Sequence, residues 1–446
     1  MSKPPTALPA VVPARGPSFA AAFRFWLKLG FISFGGPAGQ IAIMHEEVVE
    51  KRRWITEERF LHALNFCMLL PGPEAQQLAT YLGWLLHGTR GGVVAGTLFV
   101  LPSAVLLWVL SYAYVVFGTL PLAAGLLAGL KLAVLAIVAA AAVRIGKRVL
   151  KNGVLVALAA GAFGLMYGGA MPFPLIVLGA AVIGYLGSRR WPEKFAVLHE
   201  EGADGLETKA ETISQAAEGK GVKALHRVLK TVLIGALCWW LPVIAAGVWL
   251  GWNHTVFCEA LFFSKAAVVT FGGAYAVLPY VAQEAVGSYG WLGQGQMMDG
   301  LGLAETTPGP LIMVLQFVGF VGGWQHPGGL PPLAAATLGA AVTTWVTFVP
   351  CFLWIFLGAP YVERLRTHRG LAAALSTITA AVVGVIASLA AHFGSEVIFP
   401  GHTSVDWLGL ALVVIGFAGL VRWKWGVIPV ILAGAAIGLA RRFVGF

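Results

Sequence analysis

The chain has 446 residues, of which 58% are hydrophobic and 11% are charged, and its mean hydropathy is +0.80. A soluble domain normally carries about a quarter charged residues, so this composition excludes a water-soluble globular protein. The formal net charge of +10 does not indicate nucleic-acid binding, because the basic residues fall in short loops between apolar segments. Apolar runs of about 20 residues recur along the chain, which predicts an all-α polytopic membrane protein.

The order of segments along the chain predicts two repeats joined by a polar linker. The proline-rich N-terminus lacks the apolar centre of a signal peptide, so it is predicted to be a disordered cytoplasmic tail. The predicted divisions are a tail over 1–18, an N-terminal repeat over 19–187, a cytoplasmic linker over 188–227, an extra transmembrane helix over 228–250 and a C-terminal repeat over 251–446.

Two segments match at one fixed spacing, which indicates an internal duplication. The motif FGG at 34–36 recurs 237 positions later at 271–273, and the motif PGP at 71–73 recurs at 308–310 with the same spacing. Charged and aromatic residues also match at this spacing, as Glu47 with Glu284 and Trp54 with Trp291. Chance similarity between glycine-rich segments does not produce such matches. The extra span at 228–250 has no counterpart in the first half, and an odd number of spans between the halves inverts the second one.

Lys and Arg mark cytoplasmic loops, and they cluster at four places between the apolar segments. These clusters are Arg144 to Lys151, the linker, Arg364 to Arg369, and Arg422 with Lys424. The loop that contains Arg52 lies on the cytoplasmic side only if the FGG and PGP segments are re-entrant hairpins of two short helices. The sequence therefore predicts two inverted-topology repeats with about nine full transmembrane helices plus four re-entrant helical hairpins. Arg441 and Arg442 are the exception, because this arrangement places the C-terminus outside.

The broken segments are the predicted substrate site. Paired interruptions in two halves of a transporter indicate where its substrate binds, and a proline at a helix start leaves free N–H groups that favour anions. A lone PGP motif is also explained by a kink, but duplication in register favours the binding site. The predicted site contains both motifs of each half: Gly35, Gly36, Gly272, Gly273, Pro71, Gly72, Pro73, Pro308, Gly309 and Pro310.

Two lysines lie in apolar segments at matched positions. Lys28 and Lys265 precede their FGG motifs by six residues each, where a charged side chain is costly and usually functional. The alternative is that the long side chain reaches the membrane interface. The matched pair favours a role in binding the anion.

Polar residues near the PGP motifs are further candidates. Gln76 and Gln77 are predicted to donate hydrogen bonds to an oxyanion, although such side chains also join membrane helices. Glu74 and Glu305 are predicted to bind a coupling proton, because burial favours the protonated carboxyl. Capping of a helix, or pairing with a lysine, explains these two acids equally well.

No enzyme signature is present. The chain lacks a Walker loop, HExxH, a dinucleotide fingerprint and GxSxG. The four cysteines lack the spacing of metal ligands. The sequence therefore predicts neither catalytic residues, nor a metal site, nor a cofactor, and it favours transport driven by an ion gradient or the membrane potential over direct use of ATP.

Three motifs resemble the chromate ion transporter family in its two-domain, long-chain form: FISFGGPAGQ, LPGPEAQQLATYLG and the glycine-rich run from Gly88 to Gly96. The resemblance covers residues 20 to 440 and implies a secondary transporter of the bacterial inner membrane that exports chromate and confers chromate resistance. The implied partners are a small oxyanion and the lipid bilayer, with no nucleic acid, and a homodimer is left open.

The second half departs from the family pattern, since Ala274 follows its FGG motif and Leu311 follows its PGP motif. Equal contributions of the two halves are therefore in doubt. Sulfate is a tetrahedral dianion of similar size to chromate, so a carrier of sulfate or another oxyanion remains an alternative. An anion channel is the rival from another class, and a membrane-embedded enzyme is disfavoured by the missing catalytic motifs.

Overall fold

The computed structural model describes residues 16–169, 171–195, 222–359, 369–399 and 405–444, and every regular element within these ranges is a helix. The prediction of an all-α protein is confirmed for this part of the chain. Most of the predicted tail, most of the linker, Arg364 and Arg366 lie outside the described residues.

Seven helices form the first half: α1 (Phe19–Ile32), α2 (Gly36–His45), α3 (Glu57–Cys67), α4 (Glu74–Phe117), α5 (Pro121–Val149), α6 (Gly153–Tyr167) and α7 (Phe173–Arg190). Then comes α8 (Val222–Leu250). The second half contains α9 (Thr255–Val269), α10 (Ala274–Ala282), α11 (Gln294–Thr306), α12 (Val314–Gln325), α13 (Pro332–Gly358), α14 (Arg369–Ile398), α15 (Trp407–Val421) and α16 (Val427–Val444).

Five helices in the described part of the chain are long and apolar enough to cross a membrane, namely α4, α5, α8, α13 and α14. Helix α8 is the least buried of the five. The long helix α4 contains non-helical backbone at His87 and Gly88, so it consists of two successive helical segments. The polytopic membrane class is supported, and the count of nine spans and four hairpins stays a prediction.

Equivalent turns occupy equivalent positions in the two halves. Helix α2 continues as a π-helical turn over Glu46–Lys51, and α10 continues as one over Gln283–Ser288. The Trp54 N–H donates to the Val48 carbonyl at 2.9 Å, and the Trp291 N–H donates to the Ala285 carbonyl at 2.8 Å. The matched spacing in the sequence therefore corresponds to matched backbone conformation.

A charged residue in one half is replaced by an aromatic one in the other. The guanidinium of Arg52 lies 4.9 Å from the ring of Phe25 and 5.0 Å from that of Trp54. Its counterpart Tyr289 instead stacks on Trp291, with ring centroids 4.3 Å apart. Both loops are closed by contact with an aromatic face, and only the first carries a positive charge there.

The duplication extends beyond the region that matches without gaps. Pro102 inside α4 and Pro350 inside α13 are 248 positions apart, and the starts of α6 and α15, Gly153 and Trp407, are 254 apart. The added residues fall in connections, since the second half has a loop between α12 and α13 where α4 is only kinked. Insertions there leave the helices, and so the packing between them, intact.

The last helices of each half pack against the other half. Helix α5 lies against α15 and α16, while its counterpart α14 lies against α6 and α7. A Cβ built at Gly129 of α5 would overlap the carbonyl oxygen of Gly434 in α16, and one at Gly384 of α14 would overlap that of Ala159 in α6. Small residues allow this close approach, as is usual between membrane helices. The exchange interlocks the halves into one unit.

Arg441, one of the two exceptions to the predicted charge distribution, is paired within the fold. Its guanidinium donates two hydrogen bonds to the carboxylate of Asp406, at 2.7 and 3.1 Å. Asp406 also caps α15, because its side chain accepts from the Gly409 N–H at 2.9 Å. Burial acts to raise the pKa of Asp406, but these two donors outweigh it and hold the pKa below its usual range.

Asp406→Ala is expected to destabilise the protein by about 1–2 kcal/mol, because it removes both a helix cap and a bidentate ion pair. Asp406→Asn keeps a good cap and should cost less than half of that. Since the folded-state pKa is depressed, the stabilisation is complete at pH 7 and is lost as pH falls from about 3.9 through the folded value. Thermal unfolding in detergent measures these differences, and equal stability of the Ala and Asn variants would contradict the capping role.

Candidate substrate site at the crossing of the two repeats

The interrupted helices of the two halves meet and bond to each other. The Gly72 N–H donates to the Thr270 carbonyl at 2.7 Å, and the Gly309 N–H donates to the Ser33 carbonyl at 2.8 Å. Each bond joins the PGP motif of one half to the residue before the FGG motif of the other. The two donors are a matched pair and so are the two acceptors, so the bonding between the two halves is reciprocal. The structure therefore brings both pairs of predicted motifs together.

The helices before the FGG motifs end in the same way. The Ser33 hydroxyl donates to the Leu29 carbonyl at 2.6 Å, and the Thr270 hydroxyl donates to the Ala266 carbonyl at 2.6 Å. This backward bond satisfies a buried hydroxyl within its own helix. The backbone carbonyls of Ser33 and Thr270 stay free to accept from the other half, as buried polar groups require.

Gly72 and Gly309 are required by backbone conformation and by space. Their φ values are +123° and +107°, which L side chains rarely adopt. A Cβ built at Gly309 would lie 2.6 Å from the Cβ of Ser103, and one at Gly72 would lie 2.7 Å from the Sγ of Cys351. No other residue fits either position without displacing a neighbour.

Ser103 on α4 and Cys351 on α13 were not identified from the sequence. They are matched residues at the 248-residue spacing, one after Pro102 and the other after Pro350. The signal that could have found them is a proline in the middle of a long apolar helix, which interrupts the backbone bonding there.

Glu74 reaches across to the other half. It is the first residue of α4, and a Cβ built at Gly273, the N-cap of α10, would lie 3.6 Å from its Oε1. A carboxylate is favoured at a helix N-terminus, so Glu74 stands where the sequence predicts an anion. Arg148, exposed in the last turn of α5, is within electrostatic range of this acid.

Glu305 forms the second acidic centre. It is buried on α11 and accepts a hydrogen bond of 2.6 Å from the hydroxyl of Tyr275 on α10. Arg144, one turn before Arg148 on α5, is within electrostatic range of Glu305. The sequence analysis treated these two arginines only as topology markers. In the structure, each of the two exposed guanidinium groups lies within electrostatic range of one of these acids.

A half-buried ion pair lies further along α5. The Nζ of Lys131 lies 3.4 Å from Oδ2 of Asp299, which also accepts from the Tyr114 hydroxyl at 3.0 Å. The three residues join α4, α5 and α11. A lysine within the apolar α5 segment was the available signal, and the sequence analysis did not use it.

The glutamines at the crossing use their amide donors within the fold. Gln77 donates to the Pro71 carbonyl at 2.7 Å, and Gln40 donates to the Gly309 carbonyl. Gln76 donates to a hydroxyl one turn further along α4. The Oε1 atoms of all three are buried and have no hydrogen-bond partner among the described residues. The crossing therefore offers unused acceptors, which water or a ligand that donates hydrogen bonds can satisfy.

Lys28 and Lys265 lie away from the crossing. Both are exposed, on the outer surfaces of α1 and α9, and Lys28 is flanked by the exposed Leu27 and Phe31. Neither forms an ion pair with a described residue. Their role in substrate binding stays a prediction. Within the described ranges no group of three His, Cys, Asp or Glu side chains is arranged to hold a metal ion.

Membrane-spanning helices combined with two sets of interrupted helices, which cross around buried charged residues, define a polytopic helical protein of the transporter class. The chain matches the sequence profile of the family described as Chromate transporter over residues 20–185 and 259–439. It therefore belongs to the chromate transporter family, and the resemblance inferred from the motifs is confirmed.

Named relatives match over nearly the whole chain. The chromate transport protein of Pseudomonas aeruginosa is 32% identical, over 94% of this chain and 92% of its own length. That of Cupriavidus metallidurans is 28% identical, over 93% and 90%. The probable chromate transport protein of Synechococcus elongatus is 27% identical, over 90% and 89%. No solved structure matches the chain.

Proposed function

We propose that the protein is a secondary transporter that exports chromate across the bacterial inner membrane and thereby confers chromate resistance. The observation that carries the proposal is the pair of bonds from Gly72 to Thr270 and from Gly309 to Ser33, which set interrupted helices of both halves against each other. Such crossings lie at the substrate site of transporters built from repeats. The names of the relatives supply the substrate.

The charge of chromate favours export over import. An inside-negative potential of 100 mV favours outward movement of a dianion by about 4.6 kcal/mol, twice the value for one charge. Export of chromate therefore needs no ATP. Arg144 and Arg148 supply positive charge at the edge of the site, and the N-terminus of α10 supplies backbone N–H groups next to Glu74. An anion that enters there competes with the Glu74 carboxylate.

Uptake of labelled chromate and labelled sulfate into inside-out vesicles tests the proposal, with the pH gradient and the potential imposed separately. We expect saturable chromate accumulation that depends on an imposed gradient, with vesicles that lack the protein as the control. Accumulation of sulfate without accumulation of chromate would show that sulfate is the substrate. Conductance without gradient-dependent accumulation would show that the protein is an anion channel.

We also propose that the repeats have inverted topology. Helix α8 adds one passage through the membrane between the two halves. Helix α1, with 14 residues, extends only about 21 Å, less than the roughly 30 Å hydrocarbon core. Both features support re-entrant hairpins around the broken motifs.

Lys51 and Ser288 are matched exposed residues in the two halves, and they provide a test of the topology. In a cysteine-free background, we expect Ser288→Cys to react with an impermeant thiol reagent in intact cells. Lys51→Cys should react only in inside-out vesicles, because its loop is predicted to be cytoplasmic. Labelling of both positions from the same side would contradict inversion.

Lys28 and Lys265 are proposed to act on the anion through charge, since both are exposed. Gln variants are then expected to weaken chromate binding up to about five-fold at low salt, because exposed charges contribute about 0.2–1 kcal/mol. Arg variants should be near normal, and the loss should vanish at high salt. Measurements of chromate affinity at two salt concentrations test this prediction. Unchanged affinity in both Gln variants would assign the lysines to the membrane interface.

A further inference from the structure

Glu259 is a fully buried carboxylic acid outside the crossing. It lies on α9 with no exposed surface, and neither of its oxygens has a hydrogen-bond partner in the described part of the chain. A Cβ built at Gly322 of α12 would lie 2.5 Å from its Oε1, and one at Gly339 of α13 would lie 2.6 Å from its Oε2. The carboxyl group therefore fills a slot that exists only because both opposing residues are glycine.

The slot is specific to the second half, because Ala22 occupies the matched position in the first half. The other groups around the slot carry no formal charge. The carbonyl oxygen of Gly319 lies next to the same Gly339 position, and the buried Thr343 hydroxyl on α13 has no hydrogen-bond partner among the described residues. The side chain of Trp291 covers the Gly322 side.

No basic side chain on the opposing helices compensates this acid. Helices α12 and α13 contain no Lys, Arg, His, Asp or Glu. Helices α8, α10, α12 and α13 pack against α9. Their titratable groups, with those of α9 and of the turns beside it, are Lys223, His226, Arg227, Lys230 and Cys238 on α8, His254, Cys258 and Lys265 at or on α9, Tyr275 and Tyr280 on α10, Glu284 and Tyr289 after it, and Cys351 on α13. The basic residues of α8 all lie in its first nine residues, at the end opposite to the loop that leads into α9, and Lys265 is exposed. An unpaired carboxylate without water is strongly disfavoured, so these surroundings favour the neutral, protonated acid.

We propose that Glu259 is a proton-binding site. Its carboxyl holds a proton while α9 is packed against α12 and α13, and it releases the proton only when this packing opens to water. Proton binding and the closed packing are then thermodynamically linked, because ionisation favours any conformation that solvates the carboxylate. The use of this site during transport rests on the function proposed above, but the protonation of Glu259 does not.

Infrared difference spectroscopy of the purified full-length protein tests protonation without a substrate. At pH 7 we expect a carboxylic-acid C=O band that shifts in D₂O, disappears in Glu259→Gln and is retained in Glu284→Gln, whose carboxyl is only half-buried. Glu259→Asp keeps the acid and should shift the band, which provides a second measurement if the Gln variant does not fold. Loss of a carboxylate band instead, or no change of the acid band in any Glu259 variant, overturns the proposal.

Transport at a series of external pH values tests the linkage. Glu259→Gln is expected to retain saturable transport but to lose its dependence on external pH, while Glu284→Gln retains it. If transport by Glu259→Gln still depends on external pH, the linkage is contradicted. A loss of sodium dependence in this variant instead would assign the site to a sodium ion. A change of substrate from chromate to sulfate leaves the infrared result unaffected, so failure of the proposed function and failure of the proton site are distinguishable.

Discussion

Gly309→Ala is expected to abolish transport and to destabilise the protein by about 2–6 kcal/mol. A non-glycine residue in a left-handed conformation costs about 1–3 kcal/mol, and the added methyl group would lie 2.6 Å from the Cβ of Ser103, where overpacking costs typically 1–3 kcal/mol. The substitution also pushes the Gly309 N–H away from the Ser33 carbonyl. Thermal unfolding in detergent and chromate uptake in vesicles measure the two effects.

Gly72→Ala should have the same effects. Gly72 forms the matched bond to Thr270, and a Cβ added there would lie 2.7 Å from the Sγ of Cys351. Gly179→Ala is the control, since nothing lies within 4 Å of a Cβ built there and its backbone is helical. Combining Gly309→Ala with Ser103→Gly removes the clash but not the backbone strain, so partial recovery of stability is expected. Wild-type transport in both single variants would show that the crossing is not needed for function.

Glu305→Gln is expected to keep substrate binding and to lose the dependence of transport on the pH gradient. The acid is buried and bonded at 2.6 Å to Tyr275, so its protonation changes the balance of charge next to Arg144. Tyr275→Phe removes one hydrogen bond to a charged group, which contributes about 1.5–3 kcal/mol when Glu305 is ionised. It should therefore shift the pH profile of transport without abolishing transport. Tracer uptake at fixed potential and varied pH gradient measures both effects.

Glu74→Gln should act differently, because Glu74 stands at the N-terminus of α10. A neutral amide no longer competes with the substrate there, and removal of about 0.3–1 kcal/mol of helix-terminus interaction is expected to tighten oxyanion binding up to about five-fold. Glu58→Gln, at an exposed position on α3, is the control. Unchanged pH dependence in the Glu74, Glu305 and Glu259 variants alike would leave transport driven by the potential alone as the better account.

The features that the sequence predicts correctly are those encoded locally. Composition requires a membrane protein because charged residues are excluded from hydrocarbon, and helices are the spanning structure that satisfies the backbone within one segment. The breaks at FGG and PGP are encoded by glycines with positive φ and by prolines, so their positions and their repetition at 237 residues were readable from the chain. The family followed from the same motifs.

Tertiary structure alone decides which of these residues meet. Sequence spacing cannot show that the Gly72 N–H bonds to Thr270, because the bond depends on how two distant halves dock. The outward direction of Lys28 is set by which face of α1 packs on α4. The roles of Arg144 and Arg148 depend on α5 lying beside both acids. Glu259 looks like an ordinary acid in the sequence, and only the approach of Gly322 and Gly339 encloses it. Local chemistry determines where helices break, whereas the environment of a charge is determined by packing between residues far apart in the chain.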